Sequence, residues 1–401
     1  MKHAYIYDAI RSPRTKAKET GGLHDITPQE LLSQLYQHLE KRTQVDPNSI
    51  GEVILGCVTQ SGEQAGNIAK TSTLYAGWPS SVSGLTVNRF CSSGLDAINL
   101  AALKINTGQE DTMIAGGVEM MSRVPMLSDK ARVFSDPSFA LQCKILMMGS
   151  GADLIASLNN ISKEQADSIA LLSHQRASHA QKNEFFKSIV PIENAAKGVT
   201  VIQDECIRPT TSMSSLAELP AAFEALGNQG VDALQLKANP RLEAIAHIHT
   251  AGNSPAMADA AAVLLLGDEA LGSKIIQRPR AKIVAAATAS ADPLQVLSGC
   301  IAATKKLMQQ QQLTAKDIDL FELHEAFAAT VVQAQSELQI PIDKLNLNGG
   351  VIALGHPMGA TGAIMAGMLI DELERSGKTL GLVSASGAGG SGCAILLQRM
   401  D

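Results

Sequence analysis

The stretch Gly84-Leu85-Thr86-Val87-Asn88-Arg89-Phe90-Cys91-Ser92-Ser93-Gly94-Leu95 joins a short apolar run to the small residues that open a helix. Its first four residues predict a strand, and the apolar residues that follow recur at helical spacing: Leu95, Ile98, Ala102 and Ile105. Cys91 is therefore predicted at a strand-to-helix turn, where free backbone N–H groups and the helix dipole favour a thiolate. A lone cysteine is more often a small buried apolar residue, so Cys91 is at this point only a candidate nucleophile.

Length and composition indicate a large globular chain. It has 401 residues, of which 45% are hydrophobic and 18% charged, enough for a sizeable core in two or three units. The formal net charge is -6, and aromatic residues make up 3% of the chain. Nucleic acid would therefore find neither electrostatic attraction nor stacking platforms, and we expect no nucleic-acid partner.

Six cysteines are scattered along the chain without a C-x-x-C pair: Cys57, Cys91, Cys143, Cys206, Cys300 and Cys393. This pattern indicates neither a zinc site nor a disulfide scaffold, and it is typical of a reducing compartment. Met1 to Asp8 lacks the apolar core of a signal peptide, and no apolar run approaches the ~20 residues of a membrane span. We expect a cytoplasmic protein with no membrane span and no bound metal.

Strand and helix signals alternate through the first part of the chain. Tyr5 to Ile10 predicts a strand, and Thr27-Pro28-Gln29-Glu30 predicts a capped helix that runs to about Lys41. Val53 to Cys57 and Thr112 to Gly117 predict two more strands, both buried. Alternation of this kind predicts a mainly parallel α/β sheet that is covered on both faces.

Regular periodicity is lost from about residue 121 to about residue 247. We predict two helices there, Lys163 to Lys182 and Leu216 to Gly227, within an inserted loop domain. Ala260 to Leu266 predicts a strand that returns the chain to its first half. The predicted division is an N-terminal half of residues 1–120 and 248–270, an inserted domain of residues 121–247, and a C-terminal half of residues 271–401.

The second half of the chain repeats patterns of the first half in the same order. Three pairs of segments match: Asp292-Pro293-Leu294-Gln295 with Thr27-Pro28-Gln29-Glu30, Thr314 to Phe321 with Asp46 to Val53, and Leu345 to Asn348 with Leu85 to Asn88. Loosely similar segments also arise between unrelated α/β units. If the halves do fold alike, loops in equivalent positions meet around a pseudo-twofold axis.

Those loops carry the chemically interesting residues. Cys91 follows one strand, whereas His324 and His356 follow later strands of the second half. The glycine-rich segment Ser386 to Gly392 follows the predicted strand Leu380 to Val383. An open α/β sheet usually binds its ligand with loops at the ends of its strands. The sequence therefore predicts one site built from four loops.

Four motifs, taken together, resemble those of the thiolases, acyl-CoA acetyltransferases that cleave 3-ketoacyl-CoA with coenzyme A or run the reverse Claisen condensation. The motifs are Asn88-Arg89-Phe90-Cys91-Ser92-Ser93-Gly94, Gly116-Gly117-Val118-Glu119-Met120-Met121-Ser122, His324-Glu325-Ala326-Phe327, and Gly349-Gly350 through Gly355-His356-Pro357-Met358-Gly359-Ala360. The resemblance covers essentially the whole chain. It implies the α/β thiolase fold, in which two similar halves form a five-layer α-β-α-β-α sandwich and an inserted loop domain covers CoA.

The resemblance also implies partners. These are acyl-CoA and CoA as substrates, with no prosthetic group, and a second copy of the chain in a homodimer or homotetramer. Association with a partner subunit of fatty-acid β-oxidation is a further implication for members of the degradative type.

By the same resemblance, Cys91 takes the acyl group as a thioester, and His356 is the base that activates it. A thiol needs such a neighbour because its ordinary pKa, about 8.5, leaves it mostly protonated at neutral pH. The backbone N–H groups of Cys91 and Ala388 would hold the thioester oxyanion. His324 and His356 would hold the enolate oxygen of acetyl-CoA.

Met148, Ser254 and Phe327 would contact CoA or the acyl group, although a methionine there is as often ordinary core filler. Pro255 stands where many thiolases have serine. About a dozen extra residues, near residues 227–247, precede it. These departures predict CoA contacts and an acyl specificity of the chain's own.

Ser386 is the larger departure, because the aligned residue in the family is a second cysteine that carries the α-proton. A hydroxyl is far less acidic than a thiol, so Ser386 is predicted to be a poor proton carrier. Cys393 is predicted to be a packed strand residue. His324, where biosynthetic thiolases have asparagine, favours the degradative type. Three functions stay open: a 3-ketoacyl-CoA thiolase, a decarboxylating enzyme like the ketoacyl synthases that uses Cys91, His324 and His356, and a CoA-binding subunit of reduced activity.

Overall fold

The computed structural model describes residues 2–401. Its strands are β1 Tyr5–Arg11, β2 Thr15–Lys16, β3 Glu52–Gly56, β4 Ser83–Val87, β5 Thr112–Met120, β6 Ile192–Asn194, β7 Val199–Val201, β8 Ala258–Gly267, β9 Ala281–Ser290, β10 Leu320–Leu323, β11 Leu380–Ser386 and β12 Ser391–Arg399. Its α-helices are α1 Pro28–Thr43, α2 Ile68–Tyr75, α3 Ser93–Asn106, α4 Arg132–Ser135, α5 Pro137–Cys143, α6 Met148–Leu158, α7 Lys163–Lys182, α8 Met213–Ala217, α9 Glu224–Leu226, α10 Asp232–Ala238, α11 Gly299–Gln311, α12 Ala328–Leu338, α13 Val351–Leu354 and α14 Met358–Ser376.

The strands form two half-sheets with the same internal order. The first half runs β4-β3-β5-β8-β1, and the second runs β10-β11-β12-β9. In the first half β3 and β5 are parallel, and the next two pairs, β5 with β8 and β8 with β1, are antiparallel. In the second half β10 and β11 are parallel, and the next two pairs, β11 with β12 and β12 with β9, are antiparallel. The half-sheets join where β1 pairs with β9, at Tyr5 with Lys282 and Ile6 with Ala281. The predicted repeat is therefore present in the strand order.

The expectation of a mainly parallel sheet is wrong. β8 and β12 run antiparallel to both of their long neighbours. The reason is clearest at β11 and β12, because the short turn Gly387–Gly390 between them is too short for a crossover and imposes an antiparallel pair.

Apolar side chains arrange these elements in the five layers that the family resemblance implies. One core cluster brings α3 and α14 together between the inner faces of the half-sheets, with Ile98, Ile364, Ala115 and Ile395 among its members. The outer face of the first half-sheet packs under α1 and α2. The outer face of the second packs under α11 and α12. The order of layers is therefore helix, sheet, helix, sheet, helix.

Local sequence rules set several helix ends. Thr27 and Glu30 form a capping box at the start of α1, as predicted, because each satisfies a backbone N–H that the first turn leaves free. α7 spans Lys163–Lys182, as predicted. The predicted helix from Leu216 to Gly227 is wrong. Pro220 lacks a backbone donor, so α8 ends at Ala217 and α9 begins only at Glu224.

The repeat is weaker in local conformation than in strand order. Pro293–Gln295 is a single 3-10 turn rather than the helix start that its pattern predicts, and Val296 leaves the helical region with φ 59°. α11 begins at Gly299 instead. Leu345, matched in sequence to strand β4, makes only an isolated bridge with Phe321.

The segment between β5 and β8 carries α4 to α10 and the hairpin β6–β7. β8 then pairs with β5 and β1, so the chain does return to its first half as predicted. The boundaries at residues 120, 247 and 270 stay predictions. Within residues 2–401 no single helix is long and apolar enough to cross a membrane; the bent pair α5 and α6 meets that test only by length and composition.

Candidate active site

Three of the four predicted catalytic residues line one cavity of about 120 Å³: Cys91, His324 and His356. The remaining lining residues are mostly apolar and rich in methionine: Met121, Met126, Met148, Pro255, Met257, Leu297, Ala326, Phe327 and Met358. The cavity therefore offers one thiol and two imidazoles in mostly apolar surroundings.

Cys91 sits in the predicted turn, between strand β4 and helix α3. The turn requires Phe90 to adopt a left-handed conformation, φ 49°, and Asn88 stabilises it by accepting the Phe90 N–H at 2.8 Å. Gly94 lets α3 approach α14, since a Cβ there would lie 2.6 Å from the Gly359 carbonyl oxygen. The small residues after Cys91 are therefore needed for packing.

The expectation of a thiolate at Cys91 is wrong for the resting site. Burial, and then the charge of Glu119, raise the pKa of the thiol to about 12. These effects outweigh the dipole of α3, because a desolvated anion costs more than a helix end returns. Cys91 therefore rests as a neutral thiol and needs a base at the moment of attack.

Glu119 is a functional neighbour to which the sequence analysis assigned no role. It is fully buried, and its carboxylate accepts the backbone N–H groups of Val58, Thr59 and Gly359 at 2.9 to 3.1 Å. It thus ties the loop after β3 to the start of α14. A charged residue inside the apolar run Thr112–Met120 was the available signal.

His356 is held at the start of α14 by contacts on two sides. Its N–H donates to Ala256 O at 2.8 Å, and its Nδ1 lies 2.8 Å from Thr361 Oγ1. Arg14 donates to the carbonyl oxygen of Gly355, the preceding residue, at 3.1 Å. Burial, and then the charges of His324 and Arg14, hold the pKa of His356 well below its ordinary value. The imidazole is therefore neutral and able to accept a proton.

His324 follows β10 and is fixed from the opposite side. Its Nδ1 lies 3.1 Å from Ser386 O, and because a carbonyl can only accept, Nδ1 carries the hydrogen. Its Nε2 is buried without a hydrogen-bond partner among residues 2–401. Burial lowers the pKa of His324 to about 4. The neutral ring therefore presents a lone pair at Nε2.

Glu325 anchors the loop that carries His324. Its carboxylate accepts the Ser173 hydroxyl at 2.7 Å, the Asn346 amide at 3.1 Å and the Ile352 N–H at 3.3 Å. These partners come from three separate elements, so the loop is held rigidly against α7 and α13.

The glycine-rich turn after β11 brings Ala388 to the same region, with Gly389 and Gly390 at positive φ, 65° and 75°. Among residues 2–401 no other residue accepts a hydrogen bond from the backbone N–H of Cys91 or from that of Ala388. Both donors are therefore unused. That they act together on one oxyanion stays a prediction.

Ser386 does not line the cavity. It is fully buried, its hydroxyl donates to Leu297 O at 2.6 Å, and it accepts the Cys300 N–H at 2.9 Å. Both hydrogen bonds of the hydroxyl are therefore made to backbone groups at the start of α11. Cys393 lies fully buried in β12, as predicted.

Two of the three predicted substrate contacts reach the cavity. Met148 and Phe327 line it, whereas Ser254 does not, and the Ser254 hydroxyl is buried without a hydrogen-bond partner among residues 2–401. Its neighbour Pro255 lines the cavity instead. The methionines at 121, 126, 257 and 358 were not singled out from sequence, since methionine there reads equally as core.

The site combines a buried thiol, two neutral imidazoles and unused backbone N–H donors. A cysteine-dependent acyltransferase needs these groups as nucleophile, bases and oxyanion donors. Among residues 2–401 no group of three His, Cys, Asp or Glu side chains is arranged to hold a metal ion.

Comparison with protein families narrows this class. The model described as "Thiolase, N-terminal domain" matches residues 4–234, and "Thiolase, C-terminal domain" matches residues 277–399. The chain belongs to the thiolase family, as the motifs predicted. It is an acyltransferase that uses acyl-CoA in acyl-chain breakdown.

Individual relatives agree along the full length. A 3-oxoadipyl-CoA/3-oxo-5,6-dehydrosuberyl-CoA thiolase of Escherichia coli is 37% identical, and a 3-ketoacyl-CoA thiolase of Shewanella is 38% identical, each with 100% of both chains covered. The solved acetyl-CoA acetyltransferase of Bacillus anthracis superposes with a TM-score of 0.85 at 33% identity. Human mitochondrial 3-ketoacyl-CoA thiolase superposes with a TM-score of 0.88 at 29% identity. Both superpositions cover 100% of this chain and 99% of the other.

Proposed function

We propose that the enzyme transfers acyl groups through a thioester on Cys91, with CoA as the final acceptor. His356 removes the thiol proton as the sulfur attacks the thioester carbonyl of acyl-CoA. The carbon–sulfur bond to CoA then breaks, and CoA leaves as a thiol with that proton; this is the half-reaction with acetyl-CoA. In breakdown the Cys91 sulfur attacks the 3-keto carbonyl of 3-ketoacyl-CoA instead, the bond between C2 and C3 breaks, and acetyl-CoA leaves as an enolate that takes up a proton. The CoA thiol then attacks the acyl-Cys91 thioester, and the acyl group leaves on CoA as the Cys91 thiol forms again. The observation that supports this is geometric: Cys91 lines one cavity together with His324 and His356.

The N–H groups of Cys91 and Ala388 suit the oxyanion that forms during this attack, because neither is used by another residue among 2–401. His324 and His356 face the same cavity and suit the enolate oxygen. Since His324 presents a lone pair at Nε2, that ring must gain a proton before it can donate to the enolate.

Ser386 is unsuited to move the α-proton in the carbon–carbon step. Its hydroxyl has two protein partners and no access to the cavity. We infer that thiolysis of 3-ketoacyl-CoA is slow compared with acylation of Cys91. The imidazoles are then the remaining proton carriers in the cavity.

The test is a pair of assays on the purified chain. Acetyl-CoA should add one acetyl group to the wild type, seen by intact mass, and none to Cys91→Ala. Acylation of Cys91→Ala would refute the nucleophile. Thiolysis of acetoacetyl-CoA is then compared between the wild type and Ser386→Cys. A large rise would support the family's acid/base position for residue 386, and no rise would support proton transfer by the imidazoles.

The same withdrawal of the Ser386 hydroxyl favours one second candidate, decarboxylative condensation. That reaction needs no α-proton base, and an apolar cavity promotes loss of CO2 from a desolvated carboxylate. Turnover of malonyl-CoA by the acetylated enzyme, without acetyl-CoA self-condensation, would support this candidate. Its absence would leave thiolysis. Failure of both reactions, with CoA still bound, would support the CoA-binding subunit.

We propose that the chain acts in the cytoplasm as a homodimer or homotetramer. β4 is an edge strand with unpaired backbone groups, and apolar side chains around it are exposed: Leu74 50%, Tyr75 57%, Leu85 37% and Leu103 51%. Such an edge is stable when a second copy covers it. Sedimentation should give a dimer or larger for the wild type and a smaller species for Leu85→Lys.

A further inference from the structure

A second and larger cavity, of about 500 Å³, lies in the segment between β5 and β8. Its walls come from residues 133–147, around α4 and α5, and from residues 226–234, which lead into α10. Most of the lining is apolar, including Val133, Phe134, Leu141, Leu146, Val231 and Leu234. Several of these residues belong to the stretch 227–247 that departs from the family pattern.

The larger cavity shares a wall with the catalytic cavity. Met147 lines the larger one, and its neighbour Met148 lines the catalytic one. Leu146, Met148 and Phe327 also pack in one apolar cluster. The two cavities therefore adjoin at Met147 and Met148, and methionine has a flexible side chain that adapts to irregular space.

The catalytic loops also contact the lining of the larger cavity. Phe90, which precedes Cys91, packs edge-on against Phe134, with ring centroids 6.2 Å apart and planes at 77°. Gly389 faces Ile145, because a Cβ at Gly389 would lie 3.2 Å from Ile145 Cδ1. An acyl group on Cys91 thus starts next to the wall of this cavity.

The lining of the two cavities favours apolar acyl chains over chains that end in a carboxylate. Of the residues that line either cavity, within 2–401, none is lysine or arginine. Asp136 is the single carboxylate, and it is already engaged by Ser138, Phe139 and Arg132. A carboxylate at the end of a substrate would therefore meet an apolar wall with no lysine or arginine among the lining residues, and the nearby Arg132 is already paired with Asp136.

We propose that the larger cavity binds the distal hydrocarbon chain of the acyl-CoA substrate. The enzyme then acts on apolar acyl chains too long for the catalytic cavity alone and rejects chains that end in a carboxylate, such as the 3-oxoadipyl group in the name of the Escherichia coli relative. This inference rests on the proposed acylation of Cys91.

The first test compares acyl groups on the wild-type enzyme. Acetyl-, hexanoyl-, decanoyl- and adipyl-CoA are each mixed with the enzyme, and the rate of acyl addition to Cys91 is followed by intact mass. Decanoyl-CoA should react with at least the efficiency of hexanoyl-CoA. Adipyl-CoA, which ends in a carboxylate, should react on the order of a hundredfold more slowly than hexanoyl-CoA. Equal rates for hexanoyl- and adipyl-CoA would overturn the proposal.

The second test fills the cavity. Leu234→Trp should lower the efficiency with decanoyl-CoA by about tenfold or more and leave acetyl-CoA nearly unchanged. Ala233→Trp, at an exposed position on the same helix, is the matched control and should change neither. Val231→Phe serves as the cavity-filling variant if Leu234→Trp does not fold. An unchanged ratio of decanoyl to acetyl rates in a folded variant overturns the cavity proposal alone. No acetylation of the wild type overturns the proposed function itself.

Discussion

The rings of His324 and His356 lie 4.6 Å apart between centroids, with their planes tilted by 41°. His324 is buried and His356 is half-buried, and the Nδ1 of each faces a protein oxygen, Ser386 O for His324 and Thr361 Oγ1 for His356. Two positive charges at this separation would repel strongly in these mostly apolar surroundings. Either imidazole can therefore accept a proton at the start of the reaction, but the two do not carry an added proton at the same time.

His356→Gln should slow acylation of Cys91 by about a hundredfold to ten-thousandfold, because the base is lost while the cavity keeps its shape. The measurement is the single-turnover rate with acetyl-CoA, read by intact mass. Thr361→Val tests the orientation of the His356 ring and should lower the acylation rate by about tenfold. His324→Gln is the matched control within the pair and should slow acylation less than His356→Gln does. Acylation of His356→Gln at the wild-type rate would contradict the assignment.

Alkylation of Cys91 by iodoacetamide should accelerate continuously from about pH 6 to about pH 10. Burial and Glu119 raise the thiol pKa, so the thiolate becomes populated only toward alkaline pH. The rate at this one cysteine is read by peptide mass. Cys143, which is only partly buried and also free, provides an internal comparison on the same chain. A flat rate between about pH 6 and about pH 8 would indicate a resting thiolate–imidazolium pair instead.

Ser386→Ala should lower the free energy of unfolding by about 1–3 kcal/mol, because Leu297 O and the Cys300 N–H lose their buried partner. Acylation of Cys91 should stay within a few-fold of the wild type. Urea unfolding and the acetylation rate measure the two effects. Ser384→Ala is a matched control for stability, because Ser384 lies on the same strand and its hydroxyl donates to the carbonyl oxygen of Cys300. Loss of acylation without loss of stability would give Ser386 a chemical role.

Patterns set by local sequence were predictable. The turn at Cys91, the capping box at Thr27 and the length of α7 depend on residues within a few positions of one another. The sequence predicted that Cys91, His324 and His356 meet in one site, and they do line one cavity. The strand-end argument holds for Cys91 after β4 and for His324 after β10. It is wrong for His356, which follows helix α13 and not a strand.

Properties set by tertiary packing were not predictable in the same way. The high pKa of Cys91 depends on Glu119, a strand residue whose position relative to the thiol is fixed only by the folded sheet. The hydroxyl of Ser386 turns toward α11 because Leu297 O and the Cys300 N–H are there to receive it. The larger cavity is closed by residues from two distant segments, so its existence has no periodic signal.

His247 should make stability depend on pH in a direction opposite to that of most carboxylates. Its Nδ1 lies 2.9 Å from Asp153, and its Nε2 lies 2.9 Å from Asp232. Asp153 also holds His249, through its other carboxylate oxygen, at 2.6 Å. Burial opposes the charged form of His247, but the two carboxylates outweigh it and raise its pKa. Both nitrogens then donate, so the imidazolium joins α6 to α10.

A raised pKa in the folded state means that the imidazolium stabilises the fold fully below the unfolded value of about 6.5, and that this stabilisation is lost as pH rises through the higher folded value. The difference in free energy of unfolding between the wild type and His247→Gln should therefore be larger at about pH 5.5 than at about pH 9. Because α10 forms part of the wall of the larger cavity, decanoyl-CoA should also react more slowly with His247→Gln than acetyl-CoA does, relative to the wild type. A stability difference that is constant with pH would mean that His247 is neutral between the two carboxylates.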